Sequence, residues 1–580
     1  MQISVSIYIA RFLKAQGIHT VFELSGGMIM HLIDATQQEG GIELLSVYHE
    51  QAAAFAADAA GRLSGRPGVA FGTSGPGATN LLTGIASSFF DSSPTVFITG
   101  QVNRNEQKGN RDVRQLGFQE TDIVTMAKPI TKLAERITEA AQLVEMLPRA
   151  FALACAGRPG AVLLDIPMDI LRSVIEAEDP LASAPTVGSS NLDIAPPPAA
   201  LAEWWRALAT AKKPMILAGG GVRAALSQPA LDAFASRLAI PVVHSLLASD
   251  VLPHGHPLRV GMIGTYGNRW ANLALAESDL LLVLGSRLDI RQTGADTRSF
   301  GEGRQIFHVD VEPAEINNRV AGCVAMHCDL RLFFAHAMPA AATPPDPERT
   351  LWHERIADLR HQWPDSAELK GVKGINPNVL MRAISSGRKL GAVCVDVGLH
   401  QMWAAQSLEM EAPCRFLTSG GLGAMGFALP AAIGAACQLQ REVPVLVIAG
   451  DAGFQLNIQE LQTIVHHQLP VKIVVMNNRC HGMTRQFQDT YFGSRYTGTV
   501  WGYSTPDFAA VAAAYKLPSR LLSDPADVSN AIAWLWQDPL VPALLEVAID
   551  LHTNAYPKMA FGKPISEMEP FAQPLAMNEV

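Results

Sequence analysis

An aspartate and an asparagine amide stand at the two ends of one stretch, GDAGFQLNIQELQTIVHHQLPVKIVVMNN, residues 450–478. Asp451 follows one apolar run, 445–449, and Asn478 follows the next, 471–476. Short Val/Ile/Leu runs mark buried parallel strands. The residues between them predict a turn over 450–453 and a helix over 458–467, with Ile458, Leu461, Ile464 and Val465 on one side. In a right-handed βαβ unit the strands run the same way, so Asp451 and Asn478 emerge at one carboxyl edge and can share a ligand. One carboxylate and one amide oxygen suit magnesium, which takes oxygen ligands and commonly draws several from bound phosphates. Gly453 and the helix start offer backbone N–H groups to such a phosphate. Alone, Asp451 also reads as a helix cap and Asn477-Asn478 as a turn. Their joint spacing of 27 positions favours the shared ligand.

A second constellation lies in SVYHEQAAAFAADAAGRLSGRPGVAFGTSGPGATN, residues 46–80. Glu50 closes a strand and enters a helix whose next residues are almost all alanine, so its carboxylate loses much of its hydration. Elsewhere TSGGLGAMGFALPAAIGAA, residues 418–436, surrounds Met425 with glycines that let a backbone approach a ligand closely. The motifs AGGGV, GMIGTYGN, LGSRLDIRQTG and HVDVEPAEI follow one another in the middle of the chain.

These residues need a frame of several cores. At 580 residues the chain exceeds what one core supports, and three domains fit the length. With 48% hydrophobic and 17% charged residues, the composition is that of a globular protein. A net charge of -9 with no long Lys/Arg run excludes an electrostatic footprint for nucleic acid or an anionic membrane, which leaves small molecules as partners. The seven scattered cysteines form neither a disulfide framework nor a paired zinc motif. The first residues read as an amphipathic helix, not a signal peptide, and no apolar run is long enough to span a bilayer. A cytoplasmic location is the expectation.

Two stretches rich in Pro, Ala, Ser and Thr, 179–200 and 338–350, read as linkers. Between them, apolar runs ending in glycine alternate with helix-length patterns, which predicts an α/β protein of three doubly wound parallel-sheet domains. The expected boundaries are 1–178, 190–340 and 365–550, with a tail over 551–580.

The pair of Asp451 and Asn478 resembles the metal-diphosphate motif of thiamine diphosphate-dependent enzymes, GDG followed some residues later by NN, with Ala452 in place of the middle glycine. HEQAAAFAA followed by TSGPGATN resembles the pyrimidine-binding domain of the acetohydroxyacid synthase branch. The resemblance covers the chain from residue 1 to about 567. It implies that Asp451, Asn478 and the main-chain carbonyl of Cys480 hold magnesium on the diphosphate. Gly450, Ala452, Gly453, Gly482 and Met483 would line that site. It also implies that Glu50 hydrogen-bonds the cofactor's aminopyrimidine and favours the imino tautomer that takes up a proton. Gly423 would contact the exocyclic amine and Met425 would wedge the cofactor into a bent shape. Val397, Gly398, Leu399 and His400 in VGLHQMW match a diphosphate loop, with Leu399 in place of a glutamine. The glutamate and the diphosphate site come from different subunits in this family, so a homo-oligomer with its active site at a dimer interface is implied, of two or four chains.

The ordered motifs of the middle segment resemble the FAD-binding domain of the same branch. Gly219, Gly220 and Gly221 would let adenosine approach the backbone, Arg287 and Arg291 would face phosphates, and Asp310 would accept from ribose or adenine. Met262, Gly285, Asp289 and Val311 complete the implied flavin set, while Ile263 replaces a histidine of the family. The flavin's expected role is structural, because carboligation has no net redox change.

By the resemblance, the reaction is decarboxylation of pyruvate and transfer of the two-carbon acetyl-level unit to a second carbonyl, giving acetolactate when the acceptor is pyruvate. Gly27, Phe118, Gln119 and Gln101 keep the family pattern around the reacting carbon. Leu24, Ser25, Met28 and Phe487 depart from it, which points to a reshaped acceptor pocket. A 2-oxo acid decarboxylase, a carbon-carbon hydrolase of a cyclic diketone and a catalytically silent homologue remain as alternatives. The tail reads either as a lid over the cleft or as a frayed end.

Overall fold

The computed structural model describes residues 1–182, 193–339, 347–369 and 371–576, so much of both predicted linkers lies outside the described residues. Strands with Val, Ile and Leu on both faces are stable only where both faces are covered. They form three parallel six-stranded sheets flanked by helices. The first runs in the spatial order Glu43–Ser46, Thr20–Glu23, Gly68–Gly72, Thr95–Gln101, Ala161–Pro167, Leu133–Arg136. The last runs Arg415–Thr418, Ala392–Val395, Val445–Gly450, Val471–Asn477, Ala543–Ala548, Ser519–Leu522. Numbered along the chain within each sheet, both read 2-1-3-4-6-5.

The middle sheet runs Arg259–Met262, Val242–His244, Pro214–Ala218, Leu280–Leu284, Gln305–Asp310, Val324–His327. Its order is 3-2-1-4-5-6, the order of dinucleotide-binding sheets. In open parallel sheets, ligands bind beyond the carboxyl ends of the strands, where the order reverses. That point lies between Ala392–Val395 and Val445–Gly450 in the last sheet, and between Pro214–Ala218 and Leu280–Leu284 in the middle one.

Two alanine-rich helices join the first and last units. Glu50–Ser64 buries every residue from 52 to 61, and Ala428–Gln438 buries every residue from 428 to 437. They pack against each other within one hydrophobic core shared by both units. The approach is as close as the chain permits: a Cβ on Gly434 would stand 2.0 Å from the Ala56 carbonyl oxygen. Phe55 and Phe427 close the contact edge to face, with ring centres 5.3 Å apart.

Arg269 fastens the carboxyl-terminal segment to the middle unit. Its guanidinium pairs with Glu368 at 2.7 and 2.9 Å, donates to the Glu569 carbonyl at 3.0 Å and lies over the rings of Trp363 and Phe571. The segment adds a strand pair, Lys558–Met559 with Met568–Glu569, so through residue 576 it is docked and not frayed. Among the described residues no helix is long and apolar enough to cross a membrane.

Two sequence expectations shift. The strand before Glu50 ends at Ser46, and a turn over 47–49 intervenes before the helix. The reason is local: His49 is extended, and its Nδ1 accepts the Gln51 N–H at 3.1 Å as the helix cap. The expected turn at 450–453 is already a helix, Asp451–Leu456, which breaks at Asn457 before a single turn Ile458–Glu460 and a second helix Leu461–His466. At Gly434 the packing yields a first prediction: Gly434→Ala forces the helices apart and destabilises the protein by about 1–3 kcal/mol. A lowered thermal midpoint measures it.

Candidate functional site

At the reversal point of the last sheet, two strands end in acids. Asp396 follows Ala392–Val395 and Asp451 follows Val445–Gly450. Asp396 is buried and accepts the N–H groups of Val397 at 2.9 Å and of Gly426 and Ala428 at 3.0 Å. Burial nevertheless pushes its carboxyl up to about 6. It thereby ties the loop carrying Gly423 and Met425 to the loop at Val397, a role that the sequence alone does not reveal.

Asp451 is 3% exposed. Its Oδ1 accepts the Ala452 N–H at 2.7 Å, while its Oδ2 is buried with no hydrogen-bond partner. A buried carboxylate oxygen without a close partner is free to act as a ligand atom. Burial pushes this carboxyl up to about 6. Beside it lies the buried Tyr503 hydroxyl, which pulls the carboxyl partly back down, on a ring tilted 54° against His481 with centres 4.6 Å apart. Tyr503 was invisible in the sequence because it lies 52 positions downstream in a loop.

The other predicted residues of this edge gather around Asp451. Asn478 is buried, and its Oδ1 accepts the Cys480 N–H at 3.3 Å. A Cβ on Gly482 would meet Asn478 Nδ2 at 2.5 Å and Leu399 Cδ1 at 2.6 Å, so those three converge. Positions for a Cβ on Gly398 and Gly450 both fall on the His400 ring, at 2.6 and 2.7 Å. Burial pushes His400 down to about 3, so it is neutral, and its Nε2 accepts the Gly450 N–H at 3.2 Å. A Cβ on Gly453 would strike Asp396 Oδ1 at 2.4 Å. Val397, Ala452, Gly423, Met425 and Met483 are half-buried around this space. Gly423 has φ +74 with open space beside it, so its backbone is accessible where a side chain would not be.

The first unit brings a second group together. Glu50 is buried, and its Oε2 accepts from Asn80 Nδ2 at 2.9 Å. A Cβ on Gly77 would stand 2.6 Å from the Thr73 side chain and 3.4 Å from Glu50 Oε1, and Thr73 Oγ1 accepts the Met28 N–H at 3.3 Å. Gln119 holds a left-handed backbone, φ +67, against Gly75, whose φ is +65. Gly27 and Ser25 are exposed, Leu24 and Met28 half-buried, and Phe118 is 78% exposed.

Gln101 is buried at the carboxyl end of its strand, Thr95–Gln101. Its amide donates to the Thr121 carbonyl at 2.8 Å and to Asp165 at 3.0 Å, with its oxygen accepting the Val102 N–H. Phe487 lies on the helix Gly482–Tyr491 and packs on the rings of Tyr491 and Phe492 at 4.9 and 5.8 Å.

The middle sheet's reversal point opens into a cavity of about 520 Å³, within the usual range for small-molecule sites. Gly220, Gly221, Met262, Gly285, Arg287, Asp289, Arg291, Asp310 and Val311 line it. Arg158 of the first unit and Met402 of the last also reach it, so all three units meet there. Gly219 lies beneath the wall: a Cβ there would stand 2.1 Å from the Gly285 carbonyl oxygen, so this glycine lets two loops touch. Asp289 caps the short helix Ile290–Thr293 and pairs with Arg287 at 3.2 Å. Asp310, pushed up to about 6 by burial, accepts the Glu312 N–H at 2.9 Å.

Residues 3–126 match the thiamine pyrophosphate enzyme N-terminal TPP binding domain, 201–336 the central domain and 396–547 the C-terminal TPP binding domain. The chain belongs to the thiamine pyrophosphate enzymes. It is similar to the acetolactate synthase isozyme 2 large subunit of Escherichia coli (strain K12), 36% identical with 97% of this chain and 98% of that one covered. The acetolactate synthase large subunit of Parasynechococcus marenigrum (strain WH8102) is 36% identical, covering 96% of this chain and 89% of its own. That of Lactococcus lactis subsp. lactis (strain IL1403) is 33% identical, covering 97% and 96%.

Asp396 gives this site its own prediction. In Asp396→Asn an amide N–H₂ faces backbone donors where an oxygen accepted them, and leaving buried donors unpaired costs about 1–3 kcal/mol. The thermal midpoint of the cofactor-free protein falls accordingly.

Proposed function

We propose that the chain is a thiamine diphosphate-dependent carboligase that decarboxylates pyruvate and transfers the two-carbon unit to a second carbonyl, forming acetolactate when the acceptor is a second pyruvate. One observation carries the reading. A buried glutamate in the N-terminal unit and an aspartate with an unsatisfied buried oxygen in the C-terminal unit stand in a chain matched nearly end to end by acetolactate synthase large subunits.

The residues at the Asp451 edge fit a metal-bound diphosphate. The open Oδ2 and the donor set of a carboxylate, the Asn478 amide and the Cys480 carbonyl suit magnesium completed by phosphate oxygens. The glycines at 450, 453 and 482 leave room for close backbone approach. When bound, thiamine diphosphate supplies the carbon that accepts and stabilises electrons from the decarboxylated donor. The protein's part is orientation and proton handling. Glu50, fixed by Asn80, would hold a proton at the pyrimidine nitrogen. Met425 and the Gly423 backbone would support the ring from the other side. Gly27, Phe118 and Gln119 would border the reacting carbon, and Leu24, Ser25, Met28 and Phe487 would shape the acceptor side.

Glu50 would serve the Asp451 edge of a second copy, which makes a homodimer the smallest active unit. Tyr48, Phe118, Leu422 and Leu456 support this, since these large apolar side chains near the two half-sites are 39–78% exposed in one chain. The cavity at the middle sheet fits FAD in a structural role, with the glycine-lined loops at a 3-2-1-4-5-6 reversal point supporting a dinucleotide.

Purified protein given pyruvate, thiamine diphosphate and magnesium should release carbon dioxide and form acetolactate or acetoin. Acetaldehyde as the sole product would point to a simple decarboxylase, and absence of carbon dioxide would end the reading. Glu50→Gln should retain cofactor while slowing turnover by about two to four orders of magnitude, the usual worth of a placed proton-transfer group. For the middle unit, the purified protein should show the visible absorption of an oxidised flavin, lost together with the flavin on acid precipitation.

A further inference from the structure

The break at Asn457 divides the helical excursion after Asp451 and turns two polar side chains inward. Asn457 is fully buried; its Nδ2 donates to the Gly426 carbonyl at 2.8 Å and to Gln51 Oε1 at 3.2 Å. Glu460 is fully buried as well. Its Oε1 accepts the Tyr48 N–H at 3.0 Å, and its Oε2 accepts the Thr463 hydroxyl at 2.7 Å. Tyr48 stands two residues before Glu50, Gln51 one residue after it, and Gly426 directly after Met425.

The contact is selective in a way that packing alone does not require. An acid with no exposure is costly, and burial pushes Glu460 up to about 7. What it gains is the backbone of the one turn that delivers Glu50, a turn lying outside both the strand at 43–46 and the helix at 50–64. Gly426, with φ +84, admits Asn457 so closely that a Cβ there would stand 2.9 Å from its Nδ2.

We propose that Glu460 and Asn457 are positioning residues: a clasp from the Asp451 excursion that fixes the Glu50 turn and the Met425 loop. Neither touches the reacting atoms. They act by holding the backbone from which Glu50 and Met425 project, where a misplacement of about 1 Å costs a reaction roughly a hundredfold. The inference rests on the role proposed for Glu50.

The experiment compares Glu460→Ala, Glu460→Gln, Asn457→Ala and Glu50→Gln as holoenzymes. It reads kcat, pyruvate KM, thiamine diphosphate affinity and the rate of hydrogen-deuterium exchange at the reactive carbon of bound cofactor. Glu460→Ala should lower kcat and the exchange rate together by roughly 10- to 100-fold, with KM and cofactor affinity nearly unchanged. Glu460→Gln keeps an acceptor oxygen for the Tyr48 N–H and should recover most of the loss. Asn457→Ala should slow the same step, and it decides the matter if Glu460→Ala does not fold. Wild-type exchange in folded Glu460→Ala or Asn457→Ala beside a slow Glu50→Gln overturns the clasp and leaves the proposed function standing. Wild-type exchange in Glu50→Gln overturns the role of Glu50 itself.

Discussion

The close packing of two alanine-rich helices governs this molecule. Glu50–Ser64 and Ala428–Gln438 belong to different sheets, and a single core holds both. Helix backbones approach this closely only where side chains are small, which is why alanine runs along one helix and Gly434 interrupts the other. Leu or Val there would have given each unit a larger core of its own and pushed the two apart. The Glu50 carboxyl sits at the start of one of these helices, so the contact that joins the units also fixes where the acid stands. The Gly423–Met425 loop leads directly into the other helix, so one seam in each chain anchors an arm of each of two proposed sites.

The three sheets put this seam to use differently. The first and last share the order 2-1-3-4-6-5, and each places loops of glycine and small polar residues at its reversal point. The middle sheet has the order 3-2-1-4-5-6 and opens at its own reversal point into the cavity that the other two units complete. A parallel sheet has only one edge at which strands end next to outward-running loops, so ligands collect there. The middle sheet's edge lies where the three units meet, and it is therefore shaped by residues far away in sequence.

That arrangement explains what could be read from the sequence. The α/β class and the parallel sheets followed from the alternation of apolar runs with helical patterns. Asp451 and Asn478 were legible as a pair because one βαβ unit contains both, and its handedness fixes their common edge. Residues acting across units or across long loops left no such trace. Asp396 looks like any acid after a strand until Gly426 and Ala428 fold over it. Tyr503 is found only by its place beside Asp451. Gln101 was named by the family resemblance, which carries no sign of its hydrogen bond to Asp165, 64 positions away. The helix boundary after Asp451 was misjudged because the glycines suggested a turn, whereas the helix begins at once and breaks later, at Asn457.

The buried acids show which force prevails at these edges. Asp396 accepts three backbone N–H groups and Glu460 accepts one together with a hydroxyl, yet burial still carries them to about 6 and about 7. Desolvation therefore outweighs the hydrogen bonds, and the protein retains these groups at a cost in stability. Backbone loops tied only by neutral contacts would be cheaper to fold and looser. An acid that grips particular N–H groups admits few alternative arrangements, because any slippage leaves a buried donor and a buried oxygen unpaired. Asp451 differs in one respect: no hydrogen bond of ordinary geometry reaches its second oxygen. At Asp396 and Glu460 the protein supplies partners to both oxygens, while at Asp451, as at Glu23, one buried oxygen is left without one, so only its company of Asn478, His400 and the close-set glycines sets the Asp451 edge apart.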